Sequence, residues 1–185
     1  MSIRNNSITF ASYLAYLIPF ALLTGSFLPD LFLSLIVIVF ICITTYERNF
    51  IYYKNKFFVI FIFFWLYSTI SSLISSNPLL SLESSLFYFR FGFFFLGIWF
   101  LLDENNRFFY FFKIIFTITL SFAILAGFYE YFIGENIIKS GCELHQRLCL
   151  PFNDKLALGT YLSRLMPLLF AFFLLEKKQS KSQII

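Results

Sequence analysis

The sequence predicts an all-helical, polytopic membrane protein of about six spans, and three observations carry that expectation. Of the 185 residues, 59% are hydrophobic and 13% charged, where ordinary globular domains are about 25% charged. The mean hydropathy is +0.80, and 30 residues are phenylalanine, in runs such as FFVIFIFFW and FYFRFGFFFLGIWF that show neither strand alternation nor a heptad. Six stretches are long and apolar enough to cross a bilayer, which takes roughly 20 residues. Helices apolar all round belong in lipid, so the phenylalanine excess is read as packing material and lipid contact.

The first span, about 8 to 25, follows Arg4. No small-residue cleavage site precedes a soluble domain, so it is a retained helix and not a signal peptide, kinked by Pro19. The second runs from about 31 to 46 after FLPD, and the third from about 57 to 75. Along the later half of the third, Ser68, Ser72 and Ser75 fall at spacings of four and three, flanked by Ser71 and Ser76, which puts the first three on one helical face. The fourth, about 85 to 102, carries Arg90 near its start and Glu83 two turns before it on the same face. The fifth covers about 108 to 129, residues 130 to 155 form a polar loop, and the sixth covers about 156 to 175.

Counting Lys and Arg in the connections orients the bundle. Arg4, then Arg48, Lys54 and Lys56, then Arg107, then Lys177, Lys178 and Lys181 fall on one alternating side, the cytoplasmic one. SSNPLLSLE has no Lys or Arg, and in residues 130 to 155 Lys139, Arg147 and Lys155 are outweighed by Glu130, Glu135, Glu143 and Asp154. Those connections face outward, and both termini lie inside. Cys142 and Cys149 then share the oxidising side, where a disulfide is one reading. Closing so short a loop would stabilise it by roughly 2.5 kcal/mol. A zinc cluster of those two with His145 is the other reading, but a structural site wants four ligands, so no metal is expected. His145, the lone histidine, reads as a solvated loop residue.

Charge inside the spans is the chemical signal. Arg164 lies eight residues into the sixth span, about 12 Å along the axis, where an arginine costs about 2.5 to 3.5 kcal/mol even on the lenient insertion scale. At about 100° per residue, Leu156, Gly159, Thr160, Ser163, Arg164 and Pro167 share one face and Leu158, Leu162, Leu165 and Leu169 the other. The polar face is expected to point inward and the leucine face to lipid, with Gly159 and Ser163 admitting a close neighbour helix. Arg90, Arg147 and Arg164 have no acid deep in a span to meet, so an anionic ligand entering from the outer side is expected, its phosphate oxygens matched by guanidinium forks. No Gly-rich phosphate loop, paired intramembrane carboxylates or zinc-protease signature is present, and no soluble basic domain that would bind nucleic acid.

One stretch adds a family expectation. An Arg in an outer loop, a Phe a few residues on, then NDKLALGTYLSRLMPLL entering a helix, resembles the O-antigen ligase and O-antigen polymerase superfamily of bacterial inner-membrane glycosyltransferases. SLESSLFYFRFGFFFLGIWFLLDEN is similar to the fourth-helix region of that family. The resemblance implies a polyprenyl-pyrophosphate-linked glycan as substrate, with Arg147 and Arg90 holding the pyrophosphate and Arg164, Ser68, Ser72, Ser75, Thr160 and Ser163 lining the cavity. No cofactor is implied. Two departures stand out: Leu150 and Pro151 occupy the place where the family usually has Gly, and the family's later spans and late outer loop with its essential His have no counterpart here. The resemblance therefore covers the front half, to be completed by a missing half or a second polypeptide, or else left as a remnant with binding but no catalysis. The rival readings are a non-catalytic membrane subunit and a transporter for an anionic lipid or solute. The latter expects polar residues at the midplane and an internal repeat, and no repeat is found.

Overall fold

In hydrocarbon no water satisfies the backbone, so a spanning segment has to close its hydrogen bonds within itself. The computed structural model follows that rule: it describes residues 2–25, 27–105, 107–133 and 158–182, and among them every long element is a helix and none is a strand. The order is α1 (Ser2–Thr24), α2 (Phe27–Tyr46), a 3-10 turn (Tyr52–Lys54), α3 (Lys56–Leu73), α4 (Pro78–Leu86), α5 (Phe89–Glu104), α6 (Phe108–Ile133) and α7 (Leu158–Ser182). Five described stretches are long and apolar enough to cross a membrane, and Leu158–Leu174 is a shorter apolar helix. The chain is a multi-pass membrane protein by the length and composition of these helices. Residues 130 to 155, expected as a loop, begin inside α6, and most of the remainder lies outside the described residues.

The chain forms two compact units, one of Met1–Ala15 and Asp30–Phe108, the other of Tyr16–Pro29 and Phe109–Ile185. In the first, α2 and α5 meet through buried Ile36, Phe40 and Phe100. Gly97 lets them approach: a Cβ there would lie 3.3 Å from the Ile36 Cγ2. Phe40 also packs against Tyr53 and Phe100, with ring centroids 5.6 and 5.7 Å away, and Tyr53 Oη lies 3.0 Å from Thr44 Oγ1. The 3-10 turn is thus tied to the helix pair by rings and one hydroxyl contact.

The fourth span is not one straight helix. It starts earlier than its apolar run, with Pro78 in the first turn of α4, where its missing N–H costs nothing, and it is interrupted at Phe87 and Tyr88 before α5 begins. Trp65 of α3 braces the interruption, its Nε1 donating to the Ser85 carbonyl at 3.1 Å while its ring meets Phe89 at 6.3 Å. At the other end of this unit Arg4 donates to both Glu47 and Glu104, joining the start of α1 to the ends of α2 and α5. Burial, with the nearby Asp103 and Glu104 carboxylates, raises the Tyr52 phenol above its ordinary value.

In the second unit, α7 reverses an expectation. Leu158 is buried, and Leu162, Leu165 and Leu169 pack against a core of Leu23, Phe116, Leu120, Ala123, Tyr161 and Phe172. The leucine stripe therefore faces the interior, not lipid. Gly159, Thr160, Ser163, Arg164 and Pro167 are exposed instead, and a Cβ on Gly159 would meet nothing within 4 Å. The physical reason is that polar residues turn inward only when something polar waits there. The partner of α7 is a wall of phenylalanines from α6, with Phe172 between Phe109, Phe112 and Phe116 at 5.5 to 5.8 Å, and leucine fits that wall. Tyr161 is the exception, and its buried hydroxyl donates to the Pro19 carbonyl at 3.0 Å.

Two stability outcomes follow from these contacts. Gly97→Leu should overpack the α2 and α5 contact and lower stability by about 1 to 3 kcal/mol, read as a shifted midpoint in detergent-titrated unfolding. Tyr161→Phe should remove one buried hydrogen bond and cost about 1 kcal/mol by the same measurement.

Candidate functional site

A carboxylate is favoured at the start of a helix, where the macrodipole is positive, and Asp30 sits in the first turn of α2. Arg90 sits in the first turn of α5, and its Nη2 reaches the Asp30 Oδ2 at 2.9 Å. This corrects the expectation that Arg90 has no acid to meet, and Glu83 is not the one it meets. The pair is only half sheltered, with side chains 29% and 45% exposed, so its net contribution is modest, about 1 kcal/mol. It leaves the guanidinium incompletely used. Arg90 Nε is buried without a hydrogen-bond partner, and its Cζ lies 5.2 Å from the Phe91 ring centroid, a cation over an aromatic face.

The surroundings of Arg90 are set by the antiparallel register of α3 with α4 and α5. Trp65 meets Ser85 and Phe89, while the Phe61 ring crosses Gly92, so Arg90 lies level with the stretch between Phe61 and Trp65. On the α4 side of that level is a groove of about 290 Å³ lined by Phe64, Tyr67, Ser68, Ser71, Ser72, Ser75 and Ser81. The three serines picked from the sequence thus share one groove. Ser75 Oγ donates to Ser81 Oγ at 2.9 Å, and Ser72 Oγ donates back to the Ser68 carbonyl. Hydroxyls with two flanking rings can take up a polar, hydrogen-bonding ligand through donors and acceptors alike.

The other site residues from the sequence are not part of this cluster. Arg164, Thr160 and Ser163 lie on the exposed face of α7 in the second unit. Arg164 makes no ion pair among the described residues, and the Ser163 hydroxyl donates to the Thr160 carbonyl at 3.1 Å. Arg147, Cys142, Cys149 and His145 lie outside the described residues. Among the described residues no group of three or more His, Cys, Asp or Glu side chains could hold a metal ion.

No family model, curated protein or solved structure matches this chain. Sequence reasoning missed Asp30, which lies 60 positions from Arg90, although each falls in the first turn of its helix. It also missed the phenylalanines around Gly92, because one Phe among 30 carries no individual mark.

The ion pair has a direct test. Asp30→Asn should cost about 1 kcal/mol, and a double-mutant cycle with Arg90→Gln should return a coupling of similar size. Additive effects in detergent-titrated unfolding would show that the two side chains do not sense each other.

Proposed function

We propose that this chain handles a polyprenyl-pyrophosphate-linked glycan at the outer face of a bacterial inner membrane, as the membrane part of a glycosyltransferase of the O-antigen ligase or polymerase type. The observation that carries the reading is Arg90: a guanidinium oriented by one carboxylate, keeping a buried Nε without a partner, in the same unit as a serine-lined groove. A diphosphate accepts several charge-assisted hydrogen bonds at once, and a sugar meets hydroxyls and rings. The resemblance of residues 147 to 169 to that superfamily supports the same substrate class.

In this reading both termini are cytoplasmic, and Arg147 joins Arg90 on the pyrophosphate. During transfer, the bond from the anomeric carbon to the diphosphate oxygen breaks, its electron pair leaves with the diphosphate, and an acceptor hydroxyl oxygen makes the new bond as it loses its proton. Guanidinium groups placed on the departing diphosphate stabilise that developing charge more than the ground state. No residue of this chain is assigned the acceptor proton, and the reading places that step on a completing half or a second polypeptide.

A second reading is a non-catalytic membrane subunit, and the Asp30 contact favours it, since a neutralised Arg90 could serve packing alone. Binding separates the two. With the chain in vesicles, Arg90→Ala and Arg147→Ala should each weaken capture of a polyprenyl diphosphate by about 1.5 kcal/mol, roughly tenfold. Unchanged affinity in both variants, with lowered stability in Arg90→Ala, would leave the subunit reading standing.

A further inference from the structure

At the end of the first unit opposite Arg90, α2 finishes with the Glu47, Arg48 and Asn49 N–H groups donating to the Ile43, Thr45 and Thr44 carbonyls at 2.9, 3.3 and 3.0 Å. Glycine commonly takes the left-handed position in this closure. Here that position is Arg48, at φ 51°, the one non-glycine residue with positive φ among the described residues. A side chain there costs stability that glycine would spare. Capping does not recover the cost, since backbone N–H groups already take those three carbonyls, and Arg48 joins no carboxylate among the described residues. Strain of this kind collects where a side chain has a task.

Arg48 lines a groove of about 580 Å³ together with Glu47, Asn49, Phe50, Ile51 and Lys54. Lys54, which ends the 3-10 turn, likewise pairs with no carboxylate among the described residues. The one acid on the rim, Glu47, is engaged by Arg4, which donates to it and to Glu104. Two unpaired cations are left on one groove. Its frame is fixed: Tyr53 Oη lies 3.0 Å from Thr44 Oγ1, the Phe50 ring meets Tyr53 at 5.8 Å, and Asn49 Oδ1 accepts from the Ile51 N–H at 3.3 Å. The same rim is also apolar. Phe50 and Ile51 are 52% and 73% exposed, just past the end of a helix long enough to span a bilayer.

We infer that this groove holds the phosphate of an anionic phospholipid from the adjacent leaflet, bridged by Arg48 and Lys54, with Phe50 and Ile51 set against its upper acyl carbons. Charge and position together select the occupant. The Arg48 fork matches two phosphate oxygens and Lys54 adds a point charge. A free phosphate gains nothing from Phe50 and Ile51, and a zwitterionic lipid brings its own cation to a groove whose acid is already taken. The orientation expected from the Lys and Arg count puts this end in the cytoplasmic leaflet, whose surface is negative. The site is separate from Arg90 and does not depend on the substrate proposed there.

The full chain in phosphatidylcholine nanodiscs with a minor share of phosphatidylglycerol, released into detergent and weighed by native mass spectrometry, tests this by the lipid that stays bound. Phosphatidylglycerol should be retained over phosphatidylcholine. Arg48→Gly and Lys54→Gln should each lower its retention about fivefold. Lys56→Gln removes an exposed cation outside the groove and should change retention less than about twofold, because exposed charge is screened. In phosphatidylcholine alone, Arg48→Gly should leave the unfolding midpoint unchanged or raised, since glycine relieves the left-handed backbone. Equal losses from Lys56→Gln would replace the groove by diffuse charge, and a midpoint lowered by Arg48→Gly would make the arginine a structural cap. Equal retention of phosphatidylcholine, or full displacement of the lipid by millimolar inorganic phosphate, would remove the anionic lipid as the ligand. Each of these four results overturns the inference, and none bears on diphosphate capture at Arg90.

Discussion

In hydrocarbon a polar group has no water to fall back on, and several polar features of this chain answer that constraint. The helices answer it for the backbone. Hydroxyls answer it by turning back on their own helix: Ser12 donates to the Ile8 carbonyl, Thr44 to Phe40, Thr69 to Trp65 and Thr119 to Ile115. Where a helix is interrupted, a side chain from another helix closes the gap, as Trp65 does for the Ser85 carbonyl. Arg90 and Asp30 are the same solution applied to charge, each at the first turn of its helix, where the two depths coincide. Asp30 gains there from the helix dipole as well.

Apolar packing obeys a different logic, because lipid is as greasy as the protein interior and burial alone gives little preference for one face over another. Association then depends on contact and close approach. Gly97 and Gly92 mark the two places where this unit achieves it, one toward Ile36 and Phe40 of α2, the other under Phe61 of α3. Between them, rings do the fitting: Phe93 meets Phe58 at 5.5 Å and Tyr53 at 6.2 Å, mostly edge to face, the arrangement that aromatic quadrupoles prefer. The phenylalanine runs thus act as wall material, and glycine positions decide where the walls come together.

Helix positions were legible in the sequence because hydropathy over some twenty residues is a sum, and sums survive local errors. α2, α3 and α6 begin within a few residues of the apolar runs that predict them. Facing was not legible for α7. The rule that polar residues turn inward presumes a polar interior, and the α6 surface offers Phe109, Phe112 and Phe116, so Leu162 and Leu165 went in and Arg164 stayed out. The partner of Arg90 was hidden for another reason: Asp30 is 60 positions away in sequence, and no local pattern links them. Ser68, Ser72 and Ser75 share a groove, as their spacing required, but Ser81 reaches it only through the turn into α4, which Asn77 and Pro78 mark only as a turn.

The Asp30 contact bears on how an anion could use Arg90 at all. A carboxylate that fully enclosed the guanidinium would leave nothing to offer, and the deep charge would be a packing device. Here the contact runs through Nη2 alone while Nε is buried and idle, so the carboxylate fixes the plane of the fork without filling it. An arginine so held has lost its rotamer freedom before any ligand arrives, and the ordering cost of binding falls accordingly. Phe91 completes the fixation from the ring face. Orientation of the cation therefore rests on this ring as well as on the carboxylate, which is why the phenylalanine beside the arginine matters more than its neighbours in the same run.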